Sequence, residues 1–241
     1  MTAGEGLSAQ RLRVPVDGVV LEADLHLPEP PLAVVVVARC DAPHDAAMRS
    51  DAAIGVFAAH GLATVIVDLL VASEVAEARR KFDVFLLARR LEALTDTVAH
   101  LPAMAGLPVG YVAAGPGAAG ALVAALGDPR IRAIVSVDGR PDLAEGVLGS
   151  VTVPVLLIAR ETERGMNAAA FERMRCSKEL AALDDRTGDT PIDSMLAWLS
   201  RHLVAPAMAR QAESAPAPKE VRAPRRRGVL ARRRPSPPPA A

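Results

Sequence analysis

The chain has few aromatic side chains: its 241 residues include four Phe, one Tyr and one Trp. Surfaces that bind single-stranded nucleic acids commonly stack aromatic rings on the bases. The scarcity of rings therefore argues against a surface of that kind. Small and branched residues, mostly Ala, Val and Leu, supply the hydrophobic half of the sequence instead. Such side chains suit the buried strands of a parallel sheet packed between helices.

Thiols are also scarce, because the chain has only two cysteines, Cys40 and Cys176. Two thiols do not make a disulfide framework, and no cluster of Cys and His has the spacing of a metal site. The first residues lack an apolar leader, and no apolar run approaches the ~18 residues of a membrane-spanning helix. We therefore expect a cytoplasmic protein with no transmembrane segment, no metal and no cofactor.

The formal net charge of zero hides an asymmetry along the chain. From residue 204 onward there are nine basic and two acidic residues, so this part carries +7 and the remainder −7. Eight of the 20 prolines lie in the same stretch. A segment of that composition buries too little apolar surface to offset its ordering entropy. The composition predicts a flexible N-terminus over 1–10, one domain over 11–203 and a disordered basic tail over 204–241.

The basic tail contains two arginine triplets that could attract an anionic partner. Binding through such a segment is mainly electrostatic and sensitive to salt. A protein is one possible partner, and a nucleic acid or an anionic membrane surface are others; a solvated tether without a partner is the alternative interpretation. The residues concerned are Arg225, Arg226, Arg227, Arg232, Arg233 and Arg234.

The order of apolar segments predicts the fold class. The dipeptide Asp17-Gly18 separates two strand-like segments and is a strong signal for an antiparallel hairpin. Short buried runs then alternate with helical patterns, which is typical of parallel strands connected by helices. We therefore predict a three-layer α/β fold: a mostly parallel sheet with an N-terminal antiparallel hairpin and helices on both faces. The predicted parallel strands cover residues 32–38, 62–69, 109–114, 131–138 and 153–159.

The order of these segments and their amino-acid sequences resemble the α/β-hydrolase superfamily, specifically its dienelactone-hydrolase-like branch. The resemblance covers roughly residues 11–203 and implies the α/β-hydrolase fold. The matching phrases are LATVIVDLL (62–70), FDVFLLARRL (82–91), LPVGYVAAGPGAAGALVAAL (107–126), SVDGRPDLA (136–144), VPVLLIA (153–159) and AWLSRHL (197–203).

The resemblance implies a nucleophile at the centre of a G-x-S-x-G turn, but this turn lacks one. The matching residues are Ala113-Ala114-Gly115-Pro116-Gly117, so Gly115 occupies the position of the Ser or Cys nucleophile. The family's oxyanion loop usually begins with His-Gly after the first parallel strand. Here that loop begins with Arg39 and Cys40.

Two further catalytic parts are weak or missing. The resemblance places an acid after the strand 153–159, where Glu161 and Glu163 are the nearest carboxylates. It also places a histidine between the last strand and the last helix, but residues 184–190 contain none. His202 lies on the predicted last helix and is no substitute.

Nucleophile and base act as a unit in covalent catalysis. Their joint loss favours a catalytically inactive hydrolase-fold protein with a binding or scaffolding role. A small-molecule ligand could occupy the crevice where the family has its active site. In this chain the crevice would be lined by Arg39, Cys40, the Gly115-Pro116-Gly117 turn and Glu163. The alternative is an ester or lactone hydrolase with a non-standard nucleophile, for which Cys40 is the first candidate.

A second alternative is a nucleotide-binding module. The pattern Gly115-x-Gly117-x-x-Gly120 follows a predicted strand and opens a helix, and Asp138 ends the next strand. This is the context of a dinucleotide-binding fingerprint. Small residues at these positions would also allow close helix packing without any ligand. The sequence leaves both interpretations open.

Overall fold

The computed structural model describes residues 7–40, 51–183 and 191–214, and these residues form one eight-stranded sheet flanked by helices. The strands are β1 (Ser8–Val16), β2 (Val19–Leu27), β3 (Ala33–Arg39), β4 (Leu62–Asp68), β5 (Val109–Gly115), β6 (Ile131–Gly139), β7 (Val155–Ala159) and β8 (Lys178–Ala182). The helices are α1 (Asp51–Ala59), α2 (Ala78–Lys81), α3 (Val84–Ala99), α4 (Pro116–Ala124), α5 (Glu161–Arg173), α6 (Ile192–Leu199) and α7 (Ala205–Ser214). A 3₁₀ segment covers Pro141–Ser150, and a π-helical turn over Ser200–Val204 joins α6 to α7.

The sheet is antiparallel at one side and parallel elsewhere, as predicted. Asp17 and Gly18 both have positive φ and close the β1–β2 hairpin. Strand β2 pairs antiparallel with β4, and the parallel strands follow in the order β4-β3-β5-β6-β7-β8. We call the side where the parallel strands end the carboxyl edge, and the side where they begin the amino edge.

Both faces of the sheet are buried, which confirms the three-layer arrangement. Alternate residues of β3 point to opposite faces, because side chains alternate along a strand. Val36 belongs to the core formed with α3 and α4, whereas Val35 belongs to the core formed with α1 and α6. Both side chains are fully buried.

The two predicted ends of the domain need correction. Ser8 pairs with Leu27, so residues 8–10 belong to β1 rather than to a flexible lead-in. At the other end α7 is helical, although its residues fall in the predicted disordered tail. The buried stripe of Leu199, Leu203 and Ala207 continues every four residues, which explains why the chain remains helical beyond 203. Residues 215–241, with both arginine triplets, lie outside the described residues.

A buried ion pair fixes the connection between β4 and α3. Arg90 of α3 is fully buried, and its Nη1 donates to Glu74 Oε2 at 2.6 Å and to the Leu69 carbonyl at 2.6 Å. Its Nη2 donates to Glu74 Oε1 at 2.8 Å. The hydrogen-bonded Arg90 guanidinium lowers the pKa of the Glu74 carboxyl. This fork-to-fork pair therefore holds the start of the connection, at the carboxyl edge, against α3.

We expect Glu74→Gln to lower the free energy of unfolding by about 3 kcal/mol at pH 7, because it removes the hydrogen-bonded carboxylate partner of a fully buried guanidinium. The folded pKa of Glu74 is lowered, so its stabilisation is present above the unfolded carboxyl pKa and is lost as the pH falls through the folded value. The difference between variant and wild type should therefore shrink below about pH 4. Urea unfolding across this pH range measures it.

Glu77→Gln is the matched control, since Glu77 pairs with Arg80 at the surface. We expect it to change the free energy of unfolding by less than about 0.5 kcal/mol. Equal losses in the two variants would contradict the role assigned to the buried pair.

Helix α4 packs closely on α3, and Gly120 makes this possible. A Cβ at Gly120 would lie 2.7 Å from Leu87 Cβ. We expect Gly120→Ala to cost about 1–3 kcal/mol through overpacking. Gly165→Ala in α5 is the control: a Cβ there meets no described atom within 4 Å, so it should stabilise by about 0.5–1 kcal/mol. Thermal unfolding of both variants measures the contrast; a stabilising Gly120→Ala would refute the packing role.

Candidate functional site

The turn between β5 and α4 keeps the shape of a nucleophile elbow. Gly115 has φ 51° and ψ −135°, a conformation that L side chains rarely adopt, and α4 begins at the next residue. A Cβ on Gly115 would meet no described atom within 4 Å. In the G-x-S-x-G motif a strained turn of this kind exposes the Ser hydroxyl. The turn therefore retains the backbone and the space for a nucleophile, without its side chain.

Pro116 removes a second part of the catalytic apparatus. In nucleophile-elbow hydrolases the backbone N–H of the residue after the nucleophile donates to the oxyanion. Pro116 holds that position and has no backbone N–H. This signal is present in the sequence itself, where Pro116 directly follows the position of the nucleophile. The elbow thus lacks both a nucleophile and one of the usual oxyanion donors.

Arg39 and Cys40 lie beside the elbow, at the end of β3. The Arg39 guanidinium forms an ion pair with Asp68, which ends the neighbouring strand β4. Cys40 is 2% exposed, and its Sγ lies 3.2 Å from the position that a Cβ on Gly117 would take. The thiol is therefore packed against the first turn of α4. The next residues of this loop, 41–50, lie outside the described residues.

Glu163, in the first turn of α5, faces a cation. The bidentate pair with Asp142 raises the pKa of Arg140, and the nearby charge of Glu163 adds to this effect. The Arg140 backbone N–H donates to the Gly115 carbonyl at 2.8 Å, which brings Arg140 to the elbow. A guanidinium does not accept protons near neutral pH. Glu163 thus has an arginine, and no imidazole, as its neighbour among the described residues.

The four described histidines lie away from the carboxyl edge. His26 is at the end of the β2–β4 pairing, opposite Thr64 near the start of β4, and His60 and His100 follow the ends of α1 and α3. The His202 ring lies 4.3 Å from that of Trp198, between centroids, and burial lowers the pKa of His202. The segment 184–190, where the family would place its base, is outside the described residues and contains no histidine.

The three glycines of the nucleotide-binding pattern have conformational or packing roles. Gly115 adopts a positive φ, Gly117 abuts Cys40 and Gly120 abuts Leu87. Asp138 is already engaged: its Oδ1 accepts from the Arg160 backbone N–H at 2.9 Å, and its Oδ2 pairs with the Arg160 guanidinium. These contacts explain the pattern without a nucleotide.

The predicted crevice residues Arg39, Cys40, Gly115, Pro116, Gly117 and Glu163 all lie at the carboxyl edge. Within the part of the chain that is described, no group of three or more His, Cys, Asp or Glu is placed to hold a metal ion. No described helix is long and apolar enough to span a membrane. The site thus consists of a turn without a nucleophilic side chain, and ion pairs such as Arg39–Asp68 and Arg160–Asp138 lie at the same edge.

Comparisons with known proteins agree with this geometry, although no family model matches the chain. The structure superposes on a dienelactone hydrolase from Anabaena variabilis with a TM-score of 0.72 and 30% identity, covering 83% of this chain and 100% of that one. It also resembles a dienelactone hydrolase-like promiscuous phosphotriesterase from metagenomic libraries (TM-score 0.60, 19% identity, 86% and 95% coverage). The second likeness shows the fold alone.

A curated relative from Mycobacterium tuberculosis bears the provisional name phosphoribosyl transferase. It is 42% identical over 154 residues, which are 63% of this chain and 34% of that protein. The chain therefore spans about a third of the length of this relative. The relative of known structure is matched over its whole length at 30% identity. The chain belongs to the dienelactone hydrolase family of the α/β-hydrolase superfamily.

Proposed function

We propose that this chain is a member of its family that no longer hydrolyses esters and that acts by binding. The observation that carries the proposal is the sequence of the elbow, where Gly115 is followed by Pro116. Gly115 supplies no attacking atom, and Pro116 supplies no oxyanion donor. Loss of one oxyanion donor alone typically costs about 10²–10³ in rate.

The charges around the elbow support the same proposal. General acid–base catalysis needs a group that gains or loses a proton near the working pH. Arg39 pairs with Asp68, and Arg140 pairs with Asp142. The arginine charges at the described part of the edge are thus compensated by aspartates within the protein, and neither guanidinium accepts a proton near neutral pH.

The binding role has two candidate forms, a small molecule in the crevice or a macromolecular partner. The M. tuberculosis relative favours a partner, because a region homologous to this chain there forms a third of a larger protein. We propose that this chain serves as a binding or scaffolding unit beside another activity, in the cytoplasm. The basic tail with its two arginine triplets remains the proposed contact for an anionic partner.

The rival proposal is an ester or lactone hydrolase that uses Cys40. Its Sγ lies against Gly117, one residue from the usual oxyanion donor and two from the usual nucleophile. Burial counts against it, since a thiol that is 2% exposed must be uncovered before a substrate reaches it. Nucleotide binding through the three glycines is less favoured, because packing and Asp138–Arg160 pairing already account for that pattern.

We expect the wild-type protein to hydrolyse p-nitrophenyl acetate no faster than buffer does. Gly115→Ser should remain inactive, because Pro116 has no backbone N–H to donate to an oxyanion and no described histidine lies at this edge. Release of p-nitrophenol, followed in wild type, Gly115→Ser and Cys40→Ala, tests both statements. Hydrolysis that disappears in Cys40→Ala would establish the rival, and hydrolysis that persists in Cys40→Ala would refute inactivity altogether.

Labelling with iodoacetamide separates the two thiols independently of turnover. Cys176 is half-buried, and burial raises the pKa of its thiol, so it is the internal reference. We expect Cys40 to react more slowly than Cys176, because only the thiolate of an accessible cysteine is nucleophilic. Preferential labelling of Cys40 would contradict the proposal of a buried, structural thiol.

A further inference from the structure

A second candidate site lies at the amino edge of the sheet, opposite the elbow. A solvent-connected cavity of about 270 Å³ opens between the end of α3, the loops that precede β5 and β6, and α7. The residues that line it are Ala99, Gly106, Leu107, Pro108, Pro129, Arg130, Arg132 and Arg210. Three of these are arginines, and no carboxylate is among them. The cavity therefore presents positive charge to solvent.

Arg130 is held rigidly in place. Its Nε donates to Asp128 Oδ1 at 2.9 Å, and its Nη2 lies 2.7 Å from Asp128 Oδ2 and 2.7 Å from Asp96 Oδ1. The Arg130 backbone N–H also donates to Asp128 Oδ1 at 2.9 Å. The Nη1 nitrogen takes part in none of these contacts. The two aspartates thus orient the guanidinium and leave one of its donor groups available for a ligand.

Arg132 and Arg210 differ from most other described arginines. Surface arginines such as Arg11, Arg173 and Arg201 each pair with a carboxylate. Within the described residues, neither Arg132 nor Arg210 has a carboxylate partner, although both side chains border the same cavity. Two guanidinium groups held near each other repel unless an anion lies between them.

The fold, rather than the local sequence, brings these arginines together. Arg132 is near the start of β6, whereas Arg210 is on α7, far away along the chain. Helix α7 follows the π-helical turn, whose Leu203 packs on β5 where Gly110 has no side chain: a Cβ on Gly110 would lie 2.8 Å from Leu203 Cδ1. Since the preceding turn is packed on the sheet, α7 carries Arg210 to the amino edge.

We propose that this cavity binds a phosphate-bearing small molecule, of the phosphate monoester or diphosphate class. Guanidinium groups match phosphate oxygens with paired, charge-assisted hydrogen bonds. A volume of about 270 Å³ accommodates a phosphate group with a small substituent, and is below the usual size of larger ligand pockets. None of the described residues that line the cavity is aromatic, so a single-stranded nucleic acid, which would stack on such rings, is a poorer match.

Isothermal titration of the full chain with inorganic phosphate and with pyrophosphate, at constant ionic strength, tests the proposal. We expect saturable 1:1 binding to wild type. Arg132→Ala and Arg210→Ala should each weaken it about tenfold, because each removes a charge-assisted contact. Arg175→Ala is the matched control, since Arg175 is also exposed, has no described carboxylate partner and does not line the cavity. It should bind as wild type does.

Arg132 and Arg210 are both exposed, so neither substitution should impair folding. The melting temperature of each variant without phosphate checks this point. Absence of saturable binding to wild type would overturn the proposal, and so would equal weakening in all three variants, which would indicate general charge screening. The cavity and the elbow lie at opposite edges, so the ester assay and the phosphate titration can fail independently.

Discussion

The close packing of helix α4 is the constraint on which the rest of the structure depends. Small residues let α4 approach its neighbours: a Cβ on Gly120 would lie 2.7 Å from Leu87, and one on Gly117 would lie 3.2 Å from Cys40 Sγ. Because this packing fixes the position of α4, it also constrains the turn that connects β5 to α4. Gly115 is therefore held at positive φ by packing on the far side of the turn. The shape of the elbow is a property of the core and does not need a catalytic side chain.

This separation explains how the elbow keeps its shape without a nucleophilic side chain. A Cβ on Gly115 would contact no described atom, so no packing is lost when the side chain at this position is absent. A residue other than glycine in such a conformation stores about 1–3 kcal/mol of backbone strain. Glycine at the elbow therefore lacks a nucleophilic side chain and also avoids the backbone strain of this conformation. Catalytic sites are places where stability is given up for activity, and the loss of hydrolysis that we propose would be the reverse exchange.

The sequence predicted the fold well because its strongest signals are local. Buried runs marked the parallel strands, and the Asp17-Gly18 dipeptide marked the hairpin. Helix α5 lacks such a signal, because its first turns, from Glu161 onward, are polar and show no apolar periodicity. Helix α7 was missed because Pro206 and the basic composition favoured a tail. The π-helical turn before Pro206 accommodates a proline, which has no N–H for the regular ladder.

The sequence predicts those features of the candidate site that depend on which residue stands at a position, and not those that depend on which residues meet in the fold. Gly115 at the elbow was evident in the sequence, because a glycine has no side chain in any structure. The neighbours of Glu163 were not evident, because Arg140 reaches the elbow through a backbone bond to Gly115 that follows from the pairing of β5 with β6. The meeting of Arg132 with Arg210 likewise depends on the path of α7.

The two edges of the sheet therefore show different consequences of the same architecture. At the carboxyl edge the arginines lie beside aspartates within short reach, so their charges are compensated inside the protein. At the amino edge Arg132 and Arg210 have no such partners within the described residues, and their charge remains directed at solvent. An unpaired charge interacts with diffusing anions far more than a paired one does. The physical capacity to recruit a ligand thus lies on the edge that the family resemblance did not single out.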